Sequence, residues 1–223
     1  MKIGIYGGTF DPIHYGHLLL AETAKETLKL DRVLFIPARI PPHKQGKYLT
    51  PESDRVAMLR LALRGNPAFA LETFELKQMQ VSYTVHTVEY LHGKYPNAEL
   101  FLLMGEDMLR TFPDWYEPAR ICKLATPAVI GRNGCEVEDL DFLSGVASSA
   151  CLRKIRRSRV PMPAVAFSGS EIRARAAKGK SIRYQTPDSV VRYIETHALY
   201  RKPTKTSCKD REDPIENKNT KRA

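Results

Sequence analysis

The chain of 223 residues predicts an α/β fold, a parallel sheet with helices on both faces. Three observations carry this. Short apolar runs alternate with helical stretches along most of the length. Leu100–Met104 is apolar at every position, which marks a parallel strand covered on both sides. Glycine-rich or polar segments directly follow the runs, where ligands of parallel sheets bind.

The elements follow in order. Ile3, Ile5 and Tyr6 make the first strand, and Gly7-Gly8 a tight turn. Thr9 to Pro12 is a loop. His14 and His17 stand three residues apart at the start of a helix carrying Leu18, Leu19, Leu20, Ala21, Ala24 and Leu28. Arg32–Ile36 is the second strand, and residues 37–48 are a loop holding Pro42-His43-Lys44. A helix is expected with Thr50 as N-cap and Pro51 at its first position. Val56, Leu59 and Leu63 form its apolar face, and Gly65-Asn66-Pro67 stops it. Ala68 to Phe74 is the third strand. Ser82-Tyr83-Thr84 leads into a helix with Val85, Val88 and Leu91 inward. Gly105-Glu106-Asp107 closes the fourth strand, and a short helix over 108–112 is broken by Pro113-Asp114-Trp115. Ala128 to Gly131 is a fifth strand ending at Arg132. Residues 133–145 read as an acidic loop, 146–157 as helix, and Ala164 to Phe167 as a late strand. Ser168-Gly169-Ser170 opens a helix through Ala177, and a last helix runs from Pro187 with Val190, Val191, Ile194 and Leu199 inward.

Composition narrows the function. Hydrophobic residues make up 43% and charged residues 27%, as in ordinary globular chains. No apolar run approaches the roughly 20 residues that span a membrane. The chain opens directly on a strand, so no signal peptide is expected, and the location expected is cytoplasmic. The four cysteines, Cys122, Cys135, Cys151 and Cys208, show neither paired nor metal-like spacing and read as reduced thiols. Net charge is +10, which suits nucleic acid, lipid or a small polyanion. The stretch 201–223 holds eight Lys/Arg against four Asp/Glu and reads as a polar, disordered tail behind one domain spanning 1–200.

The first seventeen residues carry the chemistry. A helix N-terminus offers free N–H groups and partial positive charge, glycines let a phosphate sit against backbone, and histidines donate to phosphate oxygens. Two histidines three apart behind Gly-Gly favour a phosphate site over solvated side chains. A zinc pair lacks a third ligand at sensible spacing. Ser170 can cap its helix and leave N–H groups for a second phosphate position, with Arg173 one turn in as a bidentate donor. Asp107 suits hydrogen bonds to ribose hydroxyls, or a helix cap. Trp115 can stack on a flat heteroaromatic ring or pack in the core, and the Thr84 hydroxyl can help hold a carboxylate.

Gly7-Gly-Thr-Phe-Asp-Pro-Ile-His-Tyr-Gly-His17 resembles the signature of nucleotidyltransferases with an H-x-G-H motif. Class I aminoacyl-tRNA synthetases carry a similar motif, but the chain is short for one and lacks a Lys-Met-Ser-Lys-Ser loop. Through about Tyr200 the chain is similar to bacterial nicotinate-nucleotide adenylyltransferases, in Pro42-His-Lys44, Ser82-Tyr-Thr84, Pro113-Asp-Trp115 and Ser168-Gly-Ser-Glu-Ile-Arg173. It departs at Gly169, where the family has a second serine, and at His86, where an acidic residue is usual.

The resemblance implies a Rossmann-like nucleotidyltransferase that joins AMP from ATP to nicotinate mononucleotide, releasing deamido-NAD and pyrophosphate. The attacking phosphate is already ionised, so alignment and charge stabilisation are needed rather than a general base. The roles implied are catalytic for His14, His17, Lys44 and Arg173. ATP binding falls to Gly7, Gly8, Thr9, Phe10, Gly105, Asp107, Ser168 and Ser170. Nicotinate mononucleotide binding falls to Lys44, Ser82, Tyr83, Thr84, Trp115 and Arg132. Mg²⁺ is expected on the ATP phosphates, with no metal held by the protein alone. Phosphopantetheine adenylyltransferase shares the histidine signature, but length and the Ser-Tyr-Thr and Pro-Asp-Trp segments stand against it. A nucleic-acid-binding module is disfavoured because the basic residues are spread among sites.

Overall fold

The structure, a computed structural model, describes residues 1–40, 49–78, 81–132, 139–163 and 165–201. Six parallel strands lie in the order β3-β2-β1-β4-β5-β6. They are β1 (Lys2–Gly8), β2 (Arg32–Pro37), β3 (Phe69–Leu71), β4 (Glu99–Gly105), β5 (Thr126–Arg132) and β6 (Arg159–Met162). The helices between them are α1 (Tyr15–Leu28), α2 (Glu52–Leu63), α3 (Thr84–Lys94), α4 (Glu106–Arg110), α5 (Pro118–Leu124) and α6 (Ser149–Arg157). α7 (Gly169–Ala177) and α8 (Asp188–Thr196) complete the described chain.

Alternate residues of the central strands feed two cores. Tyr6, Phe35, Phe101 and Leu103 pack toward α1, α2, α7 and α8. Ile3, Ile5, Leu34, Leu102 and Met104 pack toward α3, α5 and α6. Burial on both faces is why Leu100–Met104 shows no alternation. The expected parallel sheet with helices on both faces is therefore present. Among the described residues no helix is long and apolar enough to cross a membrane.

Several elements differ from expectation. The late strand is not 164–167. Strand β6 pairs Arg159–Met162 with Val129–Arg132, and its inward residues are Val160 and Met162. Residues 165–168 form a loop leading to α7, and Ala164 lies outside the described residues. Only Phe69–Leu71 of the third run is strand, at the sheet edge, and a 3₁₀ turn over Glu75–Lys77 follows. Helix α4 comes earlier than expected, with Gly105 as its N-cap, and Phe112–Asp114 is a separate 3₁₀ turn. Helix α5 was not expected; with seven residues and Ile121 its one buried position, it shows no readable period. Thr50 does not cap α2. Pro51 holds the N-cap position, while the buried Thr50 N–H donates to Asp11. The buried face of α2 is Arg55, Met58, Leu59 and Leu63, so Leu59 and Leu63 face inward as expected, while Val56 is only half-buried.

The cysteine spacing was also uninformative. Cys122 of α5 and Cys151 of α6 are free thiols whose side chains hydrogen-bond, and that contact, with burial, pushes Cys122 above the ordinary thiol range.

Gly4 marks the tightest point of β1, since a Cβ there would meet Leu30 Cδ1 at 2.8 Å and Leu103 Cδ1 at 3.3 Å. Gly4→Ala is therefore expected to lower stability by about 1–3 kcal/mol in urea unfolding, the usual range for overpacking. Gly7→Ala, with nothing within 4 Å of its built Cβ, serves as the mild comparison.

Candidate active site

The order of connection reverses between β1 and β4, so a crevice opens beyond their carboxyl ends. Their register, Ile5 opposite Leu102, places the ends Gly8 and Gly105 side by side. The H-x-G-H segment lies immediately past Gly8.

His14 is the N-cap of α1, and the two histidines form a reciprocal cap. His17 N–H donates to His14 Nδ1 at 3.4 Å, and His14 N–H donates to His17 Nδ1 at 3.3 Å. The rings stack with centroids 3.6 Å apart and 19° between planes. Because each Nδ1 accepts a hydrogen bond, the neutral tautomer carries its proton on Nε2. His14 is buried, and desolvation pulls its pKa down to about 4. It is therefore a neutral donor at neutral pH rather than a cation. Gly16 must be small: a Cβ there would meet His14 Nδ1 at 3.1 Å and Phe167 Cβ at 3.3 Å.

The Phe10 side chain is buried. Its ring is buried among Tyr6, His17 and Phe35, with centroids at 5.5, 5.1 and 5.7 Å. Its backbone sits at φ 49, a left-handed conformation that this packing holds. Gly7, Gly8 and Thr9 lie beside it at the end of β1, and Thr9 contributes its carbonyl to the supporting network.

That network was not foreseen. Arg55 is fully buried and donates Nε to Thr50 O at 3.1 Å. Its Nη1 donates to Thr9 O at 2.9 Å and to Ala38 O at 2.8 Å. The Asp11 carboxylate, also buried, accepts Thr50 N–H at 3.2 Å and the Tyr200 hydroxyl at 2.8 Å. Thr186 Oγ1 donates to Ile13 O at 2.7 Å. The one available signal was Arg55 itself, a cation four and eight residues before Leu59 and Leu63 on an apolar stripe.

The second phosphate candidate meets the first. Ser168, not Ser170, holds the N-cap position of α7, without a side-chain cap bond. Arg173 Nη1 donates to Asp11 O at 2.6 Å, and Nη2 to Ser170 Oγ at 3.4 Å. A Cβ on Gly169 would stand 3.0 Å from Asp11 O. The glycine in place of a serine is thus where α7 comes closest to the signature loop. Two helix N-termini, α1 and α7, face the same ground.

The remaining predicted residues are placed as follows. Ser82 Oγ accepts Arg39 N–H at 3.2 Å, and Ala38 N–H donates to Gly8 O at 2.9 Å, so the Ser82–Thr84 segment reaches the end of β1 through β2. Tyr83 caps α3, Thr84 begins it, and Tyr83 packs on Tyr116 at 4.8 Å. Trp115 is half-buried, its ring 5.4 Å from Phe112 at the edge of the second core, so it combines a packed face with a solvent-facing one. His86 is half-exposed and stands 3.7 Å from Glu89. Gly105 ends β4, and Asp107 is exposed two residues beyond it, in the second position of α4 rather than its cap. Arg132 ends β5, but its side chain, like the whole of Lys44, lies outside the described residues. Among the described residues no three His, Cys, Asp or Glu side chains group to hold a metal.

A parallel α/β fold with two helix N-termini aimed at one crevice is the architecture of a nucleotide-phosphate-handling protein. A family model described as cytidylyltransferase-like matches residues 5–175. A Thermomicrobium roseum protein named probable nicotinate-nucleotide adenylyltransferase is 48% identical over 200 residues, covering 90% of this chain and 92% of its own length. One of the same name from Rhodopirellula baltica is 41% identical over 199 residues, covering 89% and 93%. The fold is shared with Plasmodium falciparum nicotinic acid mononucleotide adenylyltransferase complexed with NaAD, at a TM-score of 0.70 and 19% identity, over 89% of this chain and 97% of that one. The chain belongs to the cytidylyltransferase-like family and, within it, to the nicotinate-nucleotide adenylyltransferases.

The depressed pKa of His14 has a consequence for stability. The unfolded chain takes up a proton near the ordinary value of 6.5, the folded chain only near 4. Stability present above pH 6.5 is therefore lost as pH falls toward 4, by about 3 kcal/mol from this group. His14→Asn, which keeps an acceptor for His17 N–H but does not titrate, should flatten the denaturation profile across that window. A variant profile parallel to wild type would remove His14 from this role.

Proposed function

We propose that the chain transfers the AMP moiety of ATP to nicotinate mononucleotide, forming deamido-NAD and pyrophosphate in NAD biosynthesis. The observation that carries this is the meeting of the α1 and α7 N-termini at Asp11–Gly169, with the stacked histidines between them and the ends of β1 and β4. Family membership supplies the substrate class.

In this reading a phosphate oxygen of the mononucleotide attacks the α-phosphorus of ATP. The bond from that phosphorus to the bridging oxygen breaks, and pyrophosphate leaves with the electron pair. No proton needs to be removed from the nucleophile. His17 and the dipole of α1 stabilise charge on the α-phosphate, and His14 donates beside it from Nε2. Ser168, Ser170 and the α7 N–H groups hold the leaving phosphates. Arg173 contributes through its place at that helix start, although one of its nitrogens is committed to Asp11. Thr9, Gly7 and Gly8 let the phosphates approach backbone, and Gly105 and Asp107 face the adenylate ribose. The Ser82–Thr84 helix start takes the pyridine carboxylate, with Trp115 stacking on its ring. Lys44 and Arg132 supply further charge to both substrates.

Mg²⁺ supplies charge neutralisation when it arrives on the ATP phosphates. The described residues form no cage for it, and no step above is assigned to it. Residues 1–200 are taken as the catalytic domain, with 201–223 outside the site.

The purified chain with ATP, Mg²⁺ and nicotinate mononucleotide is expected to release pyrophosphate, measured by a coupled phosphate assay. Release with phosphopantetheine and not with the mononucleotide would overturn the substrate assignment. His17→Ala should lower kcat by about 10²–10³, the usual cost of losing one oxyanion donor. A folded variant with near-normal kcat removes His17 from the reaction.

A further inference from the structure

Asp11 is held from three directions. Its Oδ2 accepts Thr50 N–H at the entry to α2, and its Oδ1 accepts the Tyr200 hydroxyl at 2.8 Å. Its carbonyl accepts Arg173 of α7 at 2.6 Å and lies against Gly169. One buried residue thus joins the histidine loop, the α7 start and the far end of the described chain.

Tyr200 reaches Asp11 along a strained path. Ala198 and Tyr200 both adopt left-handed backbone, at φ 49 and φ 67. Such residues cost about 1–3 kcal/mol each and persist where the surroundings over-determine them, often beside functional sites. Leu199, between them, donates its N–H to Ile194 O at 3.0 Å and packs on the first core. That bond and Ala198 N–H on Glu195 O at 3.2 Å make Ala198 the ordinary left-handed stop of α8, and the left-handed Tyr200 that follows carries the phenol to Asp11. Burial and the adjacent carboxylate push the phenol's pKa far up, so it stays a donor at any working pH.

We propose that Tyr200 is a positioning residue for the transfer reaction, setting through Asp11 the relative placement of the α1 and α7 N-termini around the ATP phosphates. This rests on the reading of that ground as the phosphate site. Without the hydroxyl, Asp11 Oδ1 becomes a buried acceptor lacking its donor, and a carboxylate that turns to find another takes its carbonyl and Arg173 with it. Misplacement of reacting groups by about 1 Å costs about a hundredfold in rate, and the smaller shift from one lost bond is expected to cost about tenfold.

The test uses the full chain carrying Tyr200→Phe. Its kcat should fall about tenfold, while KM for nicotinate mononucleotide stays within about twofold, since the Trp115 side has no bond to Tyr200. Amide exchange should quicken about tenfold at 9–17 and 168–170 and stay unchanged in β4. A folded variant with wild-type kcat overturns the proposal, as does exchange that quickens only over 188–201. Asp11→Asn supplies the second arm: the double variant should be no slower than the worse single variant, and additive losses overturn the coupling. If wild type releases no pyrophosphate from ATP and the mononucleotide, the functional reading fails, and the exchange comparison, which needs no substrate, decides the role of Tyr200 alone.

Discussion

The buried guanidinium of Arg55 is the constraint on which the site depends. Three backbone carbonyls, from Thr9, Ala38 and Thr50, accept from this one side chain. Unpaired, each would cost about 1–3 kcal/mol. The charge carries its own desolvation penalty, which the buried Asp11 carboxylate nearby offsets. The histidine loop is thus anchored by buried polar groups, Asp11 and the Thr9 carbonyl, that are bonded to partners beneath it. Apolar packing alone would tolerate several arrangements.

On that support the described part of the site presents neutral, preorganised donors. The paired histidines satisfy each other's backbone and hold their protons on Nε2, so their donors are oriented before any ligand arrives. Burial keeps His14 neutral, which avoids a standing positive charge that would bind product as firmly as substrate. Among the described residues, the helix starts of α1 and α7 and Arg173 contribute positive potential there. Preorganised dipoles of this kind need little reorganisation as negative charge moves from the α-phosphate to the leaving group.

The sheet was legible because its central strands are buried on both faces and read as unbroken apolar runs. The histidine pair was legible because glycines, a strand end and a helix start fall within seventeen residues. The support was not. Arg55 bonds carbonyls 5, 17 and 46 residues away, and Tyr200 reaches 189 residues back to Asp11, separations that leave no local pattern. Strand β6 was misplaced because Arg159–Met162 has only two inward positions, with a proline between them, while 164–167 looks more apolar. The Cys122–Cys151 contact was hidden for the same reason as Tyr200: helices that pack on one strand bring together residues of unrelated spacing.

The bond from Tyr200 to Asp11 also imposes an order on biosynthesis. A ribosome adding about 5–20 residues per second exposes the whole histidine loop roughly ten to forty seconds before Tyr200 exists. During that interval the nascent chain holds the paired histidines without the contact from Tyr200 to Asp11. A product terminated within the last helix would carry every recognisable motif and still lack that contact.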